Sequence, residues 1–355
     1  MHHQMTEVRA SSAKIGERIG WIDQLRVIAC FAVVLIHVSG EAYARFASGP
    51  VWEWWLANVL NGSARAAVPL FVMISGALAK EGDCLPTHFY RKKALRLLPV
   101  FLAWSALYVA FDMTALHLSA REIYLLFISK GFVYLHLWYL SMLAFLLAFV
   151  PYLVRIKYPT PLGGEGRVKL LAICIVVVSL DWLFDFLCRI HEIPFLYWTR
   201  TFVEFVPYFL LGMLLAAPKS SSPARPWGGY LLGALVVSWL ANFLTCEFLG
   251  IAEDSRPLAN RSPFVLAVAV AAFLFVRDGG VPWKSSPWWG RLGDASLGIY
   301  LLHPLFLWLF RRVSRGTDWD PLSGGWMIVT ALVAFIISYV CITVFRLLEI
   351  GRKLT

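Results

Sequence analysis

The chain has 355 residues, of which 59% are hydrophobic and only 15% are charged. A soluble domain contains roughly 45–50% apolar and about 25% charged residues, so the composition excludes a soluble enzyme, a disordered chain and a nucleic-acid-binding module. Basic residues between apolar runs carry the net charge of +10, which is typical of the loops of a membrane protein.

Several segments are apolar enough to cross a bilayer, which takes a helix of about 20 residues. The ten segments span residues 22–40, 54–79, 92–115, 133–154, 168–190, 199–217, 229–250, 261–277, 294–312 and 325–348. They predict an all-α, polytopic integral membrane protein with about ten transmembrane helices around a central cavity. One transmembrane domain, residues 21–349, would lie between short tails at residues 1–20 and 350–355.

The distribution of basic residues predicts the orientation of these segments. An even number of spans places both termini on one side of the membrane. Twice as many Lys and Arg residues fall on that side as on the other. Cytoplasmic loops carry the excess of Lys and Arg, so both tails are predicted to be cytoplasmic.

The first segment contains three ionisable residues, Asp23, Arg26 and His37. Arg26 and His37 are 11 residues apart. On a helix they share one face, with an offset of about 20° and a separation of about 16 Å along the axis. Asp23 can pair with Arg26 at a spacing of three residues. We therefore expect a cavity with a cation at its inner mouth and an imidazole deep inside, because ionisable groups in spans usually face cavities.

Acyl transfer to a hydroxyl is a reaction that needs such an arrangement of an imidazole and a cation. A base must remove the proton of the alcohol as it attacks, and histidine is the usual side chain for this task. His37 could also accept the acyl group itself as a nucleophile. Two alternatives remain open: His37 as a structural hydrogen-bonding residue, and Arg26 reaching to the interface beside Asp23.

A basic cluster lies in the sequence FYRKKALRLLPV, residues 89–100, near the start of the third segment. Its cations are Arg91, Lys92, Lys93 and Arg96. Arg and Lys suit phosphate groups, so the cluster could bind a nucleotide-containing donor such as coenzyme A. Binding of anionic lipid and fixing of the topology form the alternative interpretation.

Three further motifs contain polar residues in or beside spans. Arg65 precedes VPLFVMISG, where Pro69, Ser75 and Gly76 indicate close helix contact or a broken helix along a cavity. His136 and Trp138 in HLWYL would begin the fourth span, or belong to an aromatic belt at the interface. In LGDASLGIYLLHP, Asp294 is predicted to cap the ninth span, and His303 with Pro304 to mark a helix break.

Together these motifs resemble the membrane-bound acyltransferase-3 family of bacterial O-acyltransferases. Arg26 and His37 match its Arg-x10-His pattern, Arg65 to Gly76 is similar to its second-span signature, and Arg91 to Pro99 is similar to its R-x-x-R-I-x-P element. HLWYL and LGDASLGIYLLHP resemble its later signatures. Lys93 stands where the first Arg of R-x-x-R is expected, which keeps the charge but loses the bidentate fork.

The resemblance implies a stand-alone enzyme of the bacterial inner membrane with acetyl-CoA as acyl donor and no metal. His37 would be the reacting residue, and Arg26, Lys93 and Arg96 would bind the donor. We also place Arg91, Lys92, Arg65, His136 and Trp138 among the candidate substrate-binding residues, with Asp23 and Ser75 in support. The acceptor would be a hydroxyl of a cell-surface or lipid-linked glycan, such as exopolysaccharide or O-antigen.

Other functions are compatible with many spans and charges in a cavity. A transporter or flippase of an anionic or glycan substrate is the main alternative, and a non-catalytic scaffold is the third. The partners expected for the enzyme are acyl-CoA, the glycan acceptor and membrane lipid, without nucleic acid.

Overall fold

The computed structural model describes residues 19–46, 49–130, 134–156, 163–190, 202–216, 226–249, 256–281 and 286–355. Within these ranges the chain forms α-helices, joined in places by short 3₁₀ turns, and no strand. The helices are α1 Gly20–Ala44, α2 Val51–Ala64, α3 Ala67–Ala77, α4 Pro86–Ala115, α5 Ala120–Lys130, α6 Trp138–Val154, α7 Gly164–Ile190, α8 Val206–Leu215, α9 Trp227–Leu249, α10 Pro263–Arg277, α11 Pro287–Ser314, α12 Trp326–Phe345 and α13 Glu349–Leu354. The predicted all-α architecture is confirmed.

Helices long and apolar enough to cross a membrane make up much of this structure. Six such stretches occur in the described residues: Gly20–Ala44, Val51–Ala77, Pro86–Ala115, Trp227–Phe248, Pro287–Ser314 and Trp326–Phe345. Three shorter apolar helices accompany them: Trp138–Val154, Val203–Leu215 and Pro263–Arg277. A multi-pass membrane protein is therefore supported, whereas the predicted number of ten spans is not confirmed.

The second predicted span consists of two helices. α2 ends at Ala64 and α3 begins at Ala67. Pro69 falls in the first turn of α3, where its missing N–H costs nothing because the first N–H groups of a helix have no partner within it. The break at Arg65 therefore interrupts the span without leaving a defect inside α3.

Two predictions about α11 were wrong. The helix begins at Pro287, and the Ser286 side chain accepts a hydrogen bond from the Trp288 N–H, so Asp294 lies about two turns into the helix and is not the cap. The helix also continues through Pro304 to Ser314 instead of breaking at His303. A proline within a membrane helix frees the carbonyl four residues earlier, here that of Tyr300, and neighbouring helices can compensate.

α1 is the central helix of the bundle. It contacts α2, α3, α10, α11 and α12, and more than half of its residues are buried. A polar side chain on α1 is therefore held by neighbours on several sides. Arg26 and His37 belong to this central helix.

Two glycines allow α3 and α8 to cross with their backbones in contact. A Cβ atom at Gly76 would lie 2.0 Å from the Phe209 carbonyl oxygen, and one at Gly212 would lie 1.9 Å from that of Met73. Small residues permit such backbone contact between membrane helices, as predicted for Gly76. The crossing fixes α3, which carries Ser75, against the rest of the bundle.

We expect Gly76→Ala and Gly212→Ala each to destabilise the protein, by about 1–3 kcal/mol or more, because backbone atoms must move apart. The thermal unfolding midpoint of the purified protein should fall. Gly233→Ala in α9 is the matched control, since no atom lies within 4 Å of its added methyl group. Equal midpoints for all three variants would contradict the observed crossing.

Candidate active site

A cavity of about 260 Å³ lies beside α1, between α3, α4, α6 and α11. Charged residues line one end: Arg26, Asp83, Lys93 and Arg96. Arg96 is exposed, so the cavity reaches the surface there. Apolar side chains form most of the remaining wall, and Tyr139 and Tyr300 also line it. The cavity therefore combines a basic mouth with an apolar interior.

Arg26 is held at this mouth by the predicted ion pair. Its Nη1 lies 3.2 Å from Asp23 Oδ1, and the Asp23 side chain is almost fully buried. Gly293 of α11 packs against Asp23, because a Cβ there would lie 3.2 Å from Asp23 Oδ1. The Arg26 side chain is 29% exposed. It thus has a fixed position and remains accessible from the cavity.

The basic cluster on α4 divides into two pairs. Lys93 and Arg96 line the cavity, whereas Arg91 and Lys92 are exposed and do not belong to its wall. Lys93 Nζ lies 5.4 Å from the centre of the Phe89 ring, a cation–π contact that positions the ammonium group. Lys93 and Arg96 are three residues apart and so share a helix face.

His37 continues the cavity-facing side of α1. Arg26 and Val33 line the cavity, and His37 follows Val33 by one helical turn. The His37 ring lies 5.2 Å from that of His303, and His303 lies 6.2 Å from His136, measured between ring centres. We call His37, His136 and His303 the histidine cluster. His37 is partly exposed, whereas the other two are buried.

Tyr300 connects the histidine cluster with the cavity. Its ring lies 5.7 Å from His136 and 6.1 Å from His303, and it also lines the cavity. Its hydroxyl donates to the His136 carbonyl oxygen. The cluster therefore lies beyond the apolar part of the cavity, at the end away from Arg96.

The hydrogen bond made by His303 leaves its other ring nitrogen able to accept a hydrogen bond. His303 Nδ1 lies 3.2 Å from the Ile299 carbonyl oxygen, so this nitrogen carries the proton and Nε2 presents a lone pair. His303 Nε2 is buried and makes no hydrogen bond with the described residues. Buried polar atoms of this kind are costly unless a ligand or proton transfer uses them.

Arg65 lies beside His37 and acts on it electrostatically. Its Nε donates to Asn61 Oδ1 at 2.7 Å. Asn61 in turn donates to the Ile36 carbonyl oxygen at 3.1 Å and to Ser39 Oγ at 3.0 Å. This network ties the break between α2 and α3 to α1, next to the histidine.

The remaining sequence-predicted residues differ in their positions. Ser75 lines the cavity, with its hydroxyl bonded to the Phe71 carbonyl oxygen at 3.0 Å. Trp138 does not line the cavity and packs against Tyr139 and Phe205. Trp138 therefore belongs to an aromatic packing contact outside the wall of this cavity.

Sequence reasoning missed His303 and Tyr300 as members of the site. His303 is an ionisable residue within an apolar span, and such residues often mark a functional site. Together with Pro304, it was instead interpreted as a helix break. The three-residue spacing between Tyr300 and His303 places both on one face of α11. Their position beside His37 depends on how α11 packs against α1.

The described residues contain no group of three or more His, Cys, Asp or Glu side chains that could hold a metal ion. Ring contacts join His303 to His37 and to His136. The described side chains of the cavity and the histidine cluster include imidazole, guanidinium, ammonium and hydroxyl groups.

Comparison with known protein families gives one match. A family model described as an acyltransferase domain, that of the acyltransferase-3 family, matches residues 19–346. The match covers the whole cavity-forming part of the bundle up to the end of α12. No curated protein and no solved structure matches the chain significantly.

Proposed function

The chain belongs to the membrane acyltransferase-3 family, and from this premise we propose that it transfers an acetyl group from cytoplasmic acetyl-CoA to a glycan hydroxyl. The observation that carries the proposal is the cavity whose mouth contains Arg26, Lys93 and Arg96 and whose far end adjoins His37. A coenzyme A thioester matches this arrangement, because its phosphates lie at one end and its reacting carbonyl at the other.

The donor would bind with its phosphates at the basic mouth. Lys93 and Arg96 supply charge there, and Arg26 supplies a forked donor. The pantetheine arm would follow the apolar wall toward Tyr139 and Tyr300. About 16 Å of helix separates Arg26 from His37, a length that an extended arm is suited to span.

His37 would act as the general base. Its imidazole removes the hydroxyl proton of the acceptor as the oxygen attacks the thioester carbonyl, and the carbon–sulfur bond then breaks. The thiolate of coenzyme A leaves and takes up a proton. An acetyl-histidine formed first, and then attacked by the hydroxyl, is the other route with the same atom balance.

Aromatic rings lie at the proposed reacting end of the site. The His303 ring lies 5.2 Å from that of His37, and His136 and Tyr300 lie 6.2 Å and 6.1 Å from His303. A small acyl group such as acetyl suits a site beside these rings. Arg65, which acts on His37 electrostatically, can donate hydrogen bonds to sugar oxygens, which supports a cell-surface or lipid-linked glycan as acceptor.

His303 would be a positioning residue for His37. With its Nδ1 proton held by Ile299, Nε2 can accept a hydrogen bond from the neighbouring imidazole and so fix the tautomer of His37. This role resembles the orienting partner of other catalytic histidines.

We expect His303→Phe to lower kcat by about 10-fold to 100-fold, the effect of one oriented hydrogen bond to a charged group. The KM for acetyl-CoA should stay unchanged, because His303 is remote from the basic mouth. His303→Gln retains a polar terminal group near Nε2 and should recover part of kcat. If His303 has only a structural role, both variants should lose thermal stability to the same extent. His303→Gln should then recover none of the lost kcat.

The function itself is tested by incubating detergent-purified protein with acetyl-CoA and glycan acceptor. Release of coenzyme A thiol that depends on the glycan, with a matching increase of 42 mass units on the glycan for acetyl, is the expected result. Mass spectrometry of surface glycans from cells with and without the protein identifies the acceptor. A transporter or flippase would release no thiol, and this outcome would overturn the proposal.

A further inference from the structure

A second recess adjoins the cavity at its basic mouth. It has a volume of about 480 Å³ and lies between α4, α11 and the end of the chain. Arg26, Arg96, Ser296 and Leu297 line both spaces. We call this space the C-terminal recess. A molecule that enters the cavity at Arg96 therefore has room to extend into the recess.

Cationic side chains dominate the wall of the C-terminal recess. The five cations are Arg26, Arg96, Arg346, Arg352 and Lys353. Asp294 is the one residue with a carboxylate side chain among the described residues that line it. Such an excess of positive charge in a confined space attracts a ligand with several negative charges.

Two of these cations are neutralised locally and three are not. Arg26 pairs with Asp23, and Lys353 pairs with Glu349 at 3.0 Å. Within the described part of the chain, Arg96, Arg346 and Arg352 form no ion pair. Arg346 Nε is moreover buried without a hydrogen-bond partner. The recess thus retains guanidinium groups that an anionic ligand could satisfy.

The final helix is fixed in place beside these residues. Gly351 is buried, and a Cβ atom on it would lie 1.9 Å from the Phe345 carbonyl oxygen, so α13 folds tightly against the end of α12. Trp104 Nε1 of α4 donates to the Leu354 carbonyl oxygen at 2.9 Å. These contacts hold Arg352 at the rim of the recess.

We propose that the C-terminal recess binds the 3′-phosphorylated adenosine of the acyl-CoA donor, with Arg346 and Arg352 on the 3′-phosphate. This inference rests on the proposed function. It divides the donor among three regions: nucleotide in the C-terminal recess, diphosphate at Arg96 and Lys93, and pantetheine in the cavity. Arg96 lies between the two spaces, where the diphosphate would pass.

An anionic lipid headgroup presents the same phosphate chemistry. The shared wall favours the nucleotide, because four residues of the recess also line the space that leads toward the histidine cluster. Binding of a lipid headgroup would not require the recess to open into the cavity. The experiment therefore includes an arm for each source of phosphate.

The test compares binding of coenzyme A and 3′-dephospho-coenzyme A to the purified protein in detergent, by calorimetry. The wild-type protein should bind coenzyme A about 10-fold more tightly, and Arg352→Gln should remove most of this preference, as expected for a charge-assisted contact near the surface. Arg352→Lys should retain part of it. Gly351→Ala, which displaces α13 but keeps Arg352, should also reduce it.

Arg315→Gln is the matched control. Arg315 is exposed at the end of α11, about 27 Å along the helix from Leu297, and should leave the preference unchanged. Tight but equal binding of both compounds to the wild type would overturn this inference alone. Lack of binding to either compound would reject the acyl-CoA donor as well. If Arg352→Gln instead lowers retention on phosphatidylglycerol vesicles with no change toward coenzyme A, the recess is a lipid site and the inference is wrong.

Discussion

Replacement of His37 by alanine should lower the rate of acyl transfer by about 100-fold to 10,000-fold, the range for loss of a positioned general base. The protein should still reach the membrane, because His37 is only partly buried and is not part of the tightly packed core. The measurement is the glycan-dependent release of coenzyme A by equal amounts of purified protein.

Two controls make the His37 result specific. His88→Ala removes an exposed histidine that lines neither the cavity nor the C-terminal recess, and it should retain full activity. Donor binding to the His37→Ala protein should persist, since the basic mouth is about 16 Å away along α1. A variant that transfers acetyl groups at the normal rate would remove His37 from the mechanism.

Covalent and direct transfer can be separated with the same protein. If His37 carries the acetyl group, acetyl-CoA without acceptor should give one burst of thiol per protein molecule and a peptide around His37 heavier by one acetyl group. If the hydroxyl attacks directly, thiol release should wait for the glycan. His303→Phe should slow either step, because both require the imidazole of His37 in one tautomer.

The face shared by Arg26 and His37 could be predicted because both belong to one uninterrupted helix. Helical periodicity then fixes their relative direction from the sequence alone. The same holds for the ion pair of Asp23 with Arg26 and for Lys93 with Arg96. Local geometry determines each of these relations, and no knowledge of the tertiary structure is needed.

Contacts between helices far apart in the chain could not be obtained in this way. His303 lies 266 residues after His37, and periodicity says nothing about how α11 packs on α1. The C-terminal recess likewise depends on the fold of α13 against α4 and α12. The number of spans is difficult for another reason: short apolar helices and broken helices have the composition of a span without its length.

The four basic residues of the cluster on α4 differ in position, and this difference leads to the second prediction with a large expected effect. The sequence places Arg91, Lys92, Lys93 and Arg96 close together on one helix, and the family resemblance selects Lys93 and Arg96 as the donor-binding pair. Packing separates them, because only Lys93 and Arg96 face the cavity. Their functional importance should therefore differ although their chemistry is alike.

We expect Arg96→Gln to raise the KM for acetyl-CoA by about 10-fold to 100-fold, the effect of losing a hydrogen bond to a charged phosphate. The kcat at saturating donor should change little, because Arg96 does not contact the reacting carbonyl. Arg91→Gln removes the same charge from the same helix outside the cavity and should leave KM within about twofold, since an exposed cation contributes little.

This pair of variants separates specific binding from general attraction. If the cluster acted only by drawing anionic donor or lipid to the membrane surface, Arg91→Gln and Arg96→Gln would raise KM equally, and both effects would vanish at high salt. A contact within the cavity is screened less, so the Arg96 effect should persist at high salt. If both variants raise KM equally and the effects disappear at high salt, the basic cluster contributes only to membrane topology. The donor would then be bound by Arg26 and the C-terminal recess.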